Sequence, residues 1–114
     1  MKLLTKAIEN KLTKNFEANS DGEDSKDFKP VVKFFGGGAC TWLITEYDKE
    51  NDSFFGLCDL GQGFPELGYV SKTELEGIKF PPFGLGVERD LYWNADKTLS
   101  QYADEARSLR RINS

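Results

Sequence analysis

Thr41-Trp42-Leu43-Ile44-Thr45-Glu46-Tyr47-Asp48, then Lys49-Glu50-Asn51-Asp52, then Ser53-Phe54-Phe55-Gly56-Leu57-Cys58-Asp59-Leu60, is the stretch whose reading decides the fold. Two β-branched and aromatic runs flank four polar turn formers, which is how an antiparallel hairpin reads in sequence. With Asp48 and Ser53 flanking the turn, strict alternation sets Tyr47 opposite Phe54, Thr45 opposite Gly56 and Leu43 opposite Cys58 on one side. Trp42, Ile44, Phe55 and Leu57 then share the other side. Both sides carry large apolar groups, so both need cover. An aromatic side left open would be an interaction surface.

Toward the N-terminus, Leu4, Ile8, Leu12 and Phe16 recur every four residues, one stripe of an amphipathic helix. Thr5 is its N-cap, and the helix is expected from about Lys6 to Lys14. Residues 18–29 are polar and read as a mobile loop closed by Pro30. Val31 to Phe35 reads as a strand stopped by Gly36-Gly37-Gly38. Three glycines suggest a phosphate cradle, but that needs a Lys-Ser/Thr pair and a helix start, which Ala39-Cys40-Thr41-Trp42 does not supply.

Toward the C-terminus, Leu67 to Val70 suits a strand, and Ser71 with Glu74 forms a capping box for one short helix near 72–77. Phe80-Pro81-Pro82-Phe83-Gly84-Leu85-Gly86 should cross the surface with its rings turned inward. Glu88 to Trp93 resumes a strand. Leu99, Tyr102, Ala106 and Leu109 mark a final helix over about 98–111, basic in its last turn as the helix dipole prefers. The sum is a single α+β domain over 1–114: an antiparallel sheet of four or five strands, an N-terminal helix, one short helix and a C-terminal helix.

A chain of 114 residues with nine Phe, four Tyr and two Trp can bury a core without staples. No apolar run approaches the roughly 20 residues that cross a bilayer. The N-terminus lacks a long apolar stretch with a small-residue cleavage site, so the expected location is cytoplasmic, with no membrane partner. In that compartment Cys40 and Cys58 are expected to be free thiols. The net charge of −4 lies entirely in residues 31–80, where Lys33, Lys49, Lys72 and Lys79 face Glu46, Asp48, Glu50, Asp52, Asp59, Glu66, Glu74 and Glu76. A phosphate backbone would be repelled by that middle, and only Arg107, Arg110 and Arg111 offer a basic patch.

The chain has no histidine and two cysteines, so a four-ligand zinc site cannot be assembled. Asp48, Glu50 and Asp52 resemble the start of a calcium loop without its glycine or terminal glutamate, and a charged hairpin turn is the preferred reading. Glu88-Arg89-Asp90 is the one compact polar group that could be a catalytic site. In a strand, however, Glu88 and Asp90 share a face that Arg89 leaves, and a salt-bridge anchor is favoured over paired-carboxylate hydrolysis. No catalytic, cofactor-binding or metal-ligating residue is assigned. The expected partner-binding residues are the acids Glu46, Asp48, Glu50, Asp52, Glu88 and Asp90 with the aromatics Trp42 and Phe55.

Six short pieces, in order, carry a resemblance. They are Met1-Lys2-Leu3-Leu4-Thr5-Lys6, Val32-Lys33-Phe34-Phe35, Thr41-Trp42 with Thr45-Glu46, Phe54-Phe55-Gly56-Leu57, Glu66-Leu67-Gly68-Tyr69 with Glu74-Leu75-Glu76, and Glu88-Arg89-Asp90-Leu91-Tyr92. Together they resemble the bacterial family catalogued as domain of unknown function 2958, over residues 1 to about 94, with the tail from Ala95 outside the likeness. The resemblance implies carriage by plasmids, integrative elements and phages, and implies no activity. It departs at Leu43, where an aromatic is expected, and in the polar loop at 18–29.

Three functions are consistent with these readings. The first is a non-enzymatic binding protein of a mobile element, inhibiting a host defence nuclease in the manner of an anti-CRISPR protein. Its acidic middle would occupy a basic channel on a nucleic-acid-binding host protein. The second is a single-stranded nucleic-acid accessory protein that stacks bases on exposed aromatics. The third is a carboxylate hydrolase at Glu88 and Asp90.

Overall fold

The computed structural model describes residues 2–20 and 25–114. Helix α1 (Lys6–Asn19) precedes strands β1 (Val32–Gly36), β2 (Cys40–Asp48), β3 (Ser53–Asp59) and β4 (Glu66–Ser71). Helix α2 (Lys72–Gly77), strand β5 (Glu88–Arg89) and helix α3 (Leu99–Leu109) complete an α+β domain. The five strands form one sheet in the order β4-β3-β2-β1-β5, with every pairing antiparallel.

The helices start where side chains can cap them. The Thr5 hydroxyl accepts from the Ile8 amide at 3.1 Å, and the Ser71 hydroxyl accepts from the Glu74 amide at 3.2 Å, each satisfying a donor with no intrahelical partner. Gln101 accepts from the Thr98 amide at 2.9 Å at the start of α3. Helix α1 runs one turn beyond its expected end at Lys14, because Asn15 and Asn19 find partners on β2. The polar stretch 18–29 is therefore divided. Residues 18 and 19 are helical, 21–24 lie outside the described residues, and 25–29 carry a defined set of hydrogen bonds. The Asn19 side chain bridges both backbone groups of Lys26, and the Phe28 carbonyl accepts from the Leu99 amide at 2.9 Å.

The hairpin forms where the sequence places it, and Tyr47 faces Phe54 as expected. Beyond that pair the register differs. A β-bulge lies between Ile44 and Glu46, so Ile44 faces Gly56, Leu43 faces Leu57 and Trp42 faces Cys58. The extra residue, Thr45, is 1% exposed. Its carbonyl accepts from the Asn15 amide group of α1 at 3.0 Å, so the unpaired backbone group a bulge creates is satisfied by the helix packed over it.

The bulge corrects the expected sharing of faces. Trp42 and Ile44 lie with Tyr47 and Phe54 in one core, against Leu12 of α1 and Leu75 of α2. Leu43 and Leu57 lie in a second core under Leu99, Tyr102, Ala103 and Ala106 of α3, with Phe55 at its margin. Trp42 and Phe55 thus point to opposite sides. Both faces of the hairpin are covered by helices, as its two apolar sides require.

Two further expectations change. The strand expected over Glu88 to Trp93 pairs only at Glu88 and Arg89, opposite Phe35 and Phe34. Asp90 then accepts from the Tyr92 amide at 3.1 Å, which turns the chain off the sheet. In the proline-rich segment Phe80 packs against the first core, whereas Phe83 points outward at 82% exposure. Cys40 and Cys58 are free and half-buried. Burial pushes the Cys58 thiol up to about 11, with the Glu66 charge adding to it.

Candidate functional site

Beyond the bulge, one row of side chains crosses three strands on the α3 side of the sheet. Glu46 of β2 faces Phe55 of β3, and Phe55 faces Tyr69 of β4. The Phe55 and Tyr69 rings lie 5.0 Å apart, tilted by 54°. A second row, Leu43, Leu57 and Leu67, runs beside it. Helix α3 covers Leu43 and Leu57, and its reach ends there: Leu67 is 40% exposed and Tyr69 75%.

Two adjoining hollows of about 320 and 480 Å³ open along these rows. They share Ser25, Lys26, Glu46 and Phe55. Leu67 and Leu99 line the first, and Phe16 and Tyr69 the second. The result is a groove with an aromatic floor, lined by the Glu46 carboxylate and, in the first hollow, by Asp27, which is bonded to Ser100.

Glu46 is half-buried, and burial raises its carboxyl above the usual range, opposed in part by a hydrogen bond from Asn19. That bond, from the Asn19 amide at 3.2 Å, comes from a neutral group. Among the described residues no lysine or arginine lies within ion-pair distance of Glu46. A carboxylate taken partly out of water without a cation is electrostatically incomplete.

Two of the other acids expected at a partner surface, Asp48 and Asp52, have structural employment. Asp48 accepts from the Asn51 backbone and side chain at 3.3 and 2.8 Å, closing the hairpin turn. Asp52, at φ 54°, accepts from the Thr73 amide and the Ser71 hydroxyl at 3.1 and 2.9 Å. These bonds to Thr73 and Ser71 hold its carboxyl below the usual range. It thereby ties the hairpin tip to the start of α2. Glu50 is exposed at the turn, and among the described residues no three His, Cys, Asp or Glu side chains are grouped as a metal ion requires.

Glu88 and Asp90 lie across the sheet from the groove. Arg89 donates to the carbonyls of Lys2 and Leu3 at 2.9 and 3.0 Å, tethering the segment before α1. The anchor expected at this position thus includes backbone carbonyls. Trp42, 2% exposed, belongs to the core and offers no surface. Of the expected residues, Glu46 and Phe55 are brought together. Tyr69, Leu67 and Phe16 join them without having been singled out, although alternation from Leu67 to Tyr69 on a strand with an uncovered face was a usable signal.

A larger hollow of about 520 Å³ beside Trp93 and Tyr102 is of a different kind. There the Tyr102 hydroxyl donates to Asp96 at 2.8 Å, and Lys97 lies 5.0 Å from the Tyr102 ring centroid and 3.4 Å from Glu105. Its charges are already matched.

No helix among the described residues is long and apolar enough to cross a membrane. Searches of curated proteins and of solved structures each found no match. The family model described as "Protein of unknown function (DUF2958)" matches residues 3–113. The likeness therefore extends through α3 and the tail, rather than stopping near residue 94. This chain belongs to that family.

Proposed function

We propose that this chain is a non-enzymatic binding protein that takes up a basic segment of a partner protein in the Glu46–Phe55–Tyr69 groove. The observation that carries this reading is the half-buried Glu46 carboxylate, which makes no ion pair among the described residues. An arginine or lysine entering the groove would form a charge-assisted hydrogen bond with Glu46 and lie against the rings of Phe55 and Tyr69. The acidic excess over residues 31–80 would steer such a partner toward the site. A nucleic-acid-binding host protein has a basic surface of this kind. The context we propose is cytoplasmic, with the chain carried by a mobile element and blocking a host defence nuclease.

The test begins by capturing partners of the tagged chain from a bacterial host and purifying the captured protein. Binding is then measured with wild type, Glu46→Lys and Tyr69→Ala. The reading expects both variants to bind at least tenfold more weakly while staying folded. Equal affinity for all three forms refutes it.

One feature favours a second reading. Arg110 and Arg111 line a hollow of about 400 Å³ with Gly38 and Gly61, and neither has an acidic partner among the described residues. Phe64 is 73% exposed on the β3–β4 connection. Arginines and an exposed ring are the elements of single-strand binding. Retention on single-stranded DNA, lost with salt and with Arg110→Ala/Arg111→Ala, would support this reading over the first.

A further inference from the structure

We infer that a second copy of this chain pairs with β4, joining two five-stranded sheets edge to edge about a two-fold axis at Gly68. The two edges of the sheet differ. The β1 edge is covered by β5 and by a bond from the Asp90 amide to the Lys33 carbonyl at 3.0 Å. Among the described residues, strand β4 has no strand on its outer side. Natural edges are blunted by lysine, proline, a bulge or extreme shortness. From Leu67 to Ser71 the edge has no charge and no proline, and its register with β3 is unbroken over six residues.

Gly68 is the position at which such a pairing can be probed: its φ is not positive, and a Cβ built there meets nothing within 4 Å among the described residues.

The occupant follows from side-chain parity. In an antiparallel pair, residues directly opposite share a face. A two-fold axis normal to the sheet at Gly68 sets each Leu67 opposite Tyr69 of the second copy, and Glu66 opposite Val70. Leu67 and Tyr69 are the exposed apolar residues of the strand, and each finds the other twice, as a self-complementary two-fold interface requires. Centring the axis on Tyr69 would instead leave Leu67 against Ser71. Centring it on Leu67 would leave Tyr69 against Pro65. The two Glu66 side chains fall at opposite ends of the pairing, so the contact brings no like charges together. Pairing runs in the plane of the sheet, and Leu67 and Tyr69, which border the Glu46 groove, take part in it.

Analytical ultracentrifugation of the full chain over a hundredfold dilution series tests the pairing. The wild type is expected to sediment at twice its 12.9 kDa mass when concentrated and to dissociate on dilution. Tyr69→Lys is expected to remain a single chain with an unchanged circular dichroism spectrum. A residue on the axis faces its own copy at about 5 Å between Cα atoms, within the span of a disulfide. Under mild oxidation Gly68→Cys should therefore give a covalent dimer, whereas Val70→Cys and the wild type with its own two thiols should not. If Tyr69→Lys does not fold, the crosslinking pattern decides. Single-chain mass at every concentration, an undiminished dimer in folded Tyr69→Lys, or equal crosslinking at 68 and 70 overturns the proposal.

Discussion

Replacing Gly56 by alanine is expected to cost about 3 kcal/mol of folding free energy, and the reason lies in the bulge. A Cβ at 56 would stand 2.0 Å from the Leu43 carbonyl oxygen and 2.9 Å from the Ile44 Cα. Carbon approaches a carbonyl oxygen to about 3.3 Å, so β2 must retreat by roughly 1.3 Å from the 2.0 Å position. That is over a quarter of the usual strand spacing of about 4.8 Å. The obstructing atoms are backbone and cannot swing aside. Opening the ladder weakens the two bonds flanking the bulge, at about 1 kcal/mol each. It also displaces Ile44 and Trp42, which are 0% and 2% exposed, and overpacking of that kind adds about 1 kcal/mol.

Urea unfolding followed by circular dichroism measures the loss, which corresponds to a melting point lower by roughly 12 °C for a domain of this size. Gly68 supplies the control. It lies directly opposite Gly56 on β4, and a Cβ there meets nothing within 4 Å. Gly68→Ala should therefore stay within about 0.5 kcal/mol of wild type. Equal stabilities for the two variants would refute the bulge geometry.

Three other outcomes follow from the same structure. Asp59, 3% exposed, accepts from the Gly61 and Ile112 amides at 2.8 and 3.0 Å. Asp59→Ala strands both donors and should cost about 3 kcal/mol in urea unfolding, with faster hydrogen exchange at Ile112; a loss below about 1 kcal/mol would contradict this. Burial raises the Glu46 carboxyl, so its ionised form costs stability at neutral pH, and that cost disappears as pH falls through the raised value. Glu46→Gln should be at least as stable as wild type at neutral pH and less pH-dependent just above the usual carboxylate range; a destabilised variant at neutral pH would count against a desolvated Glu46. Burial opposes ionisation of Asp27, but the Ser100 hydroxyl and amide outweigh it and hold the carboxyl low. Its contribution is present above the ordinary carboxylate range and lost as pH falls through the lowered value. The stability gap between wild type and Asp27→Asn should therefore be open at neutral pH and closed in acid, and a gap that widens in acid would show that Asp27 does not anchor α3.

Much of the candidate site was hidden from sequence for one reason. Strict alternation put Trp42 beside Phe55, and a single extra residue at Thr45 reversed that assignment. Bulges leave little trace in composition, since Thr45 is as good a strand residue as its neighbours. Glu46 and Phe55 were singled out, yet their adjacency depends on that shift. Asp48 and Asp52 look like surface acids in a charged run, and only the fold reveals them as caps of the turn and of α2.

The sequence by itself determined the α+β class, the hairpin at 41–60, the caps at Thr5 and Ser71 and the amphipathic terminal helices. Each of these is written in contacts between residues a few positions apart. Tertiary structure alone decided which strand lies at the open edge, where α3 stops covering the sheet, and that Glu46 is set beside the Phe55 ring with no ion pair among the described residues. Those features depend on groups distant in sequence meeting in space, and local periodicity carries no record of such meetings.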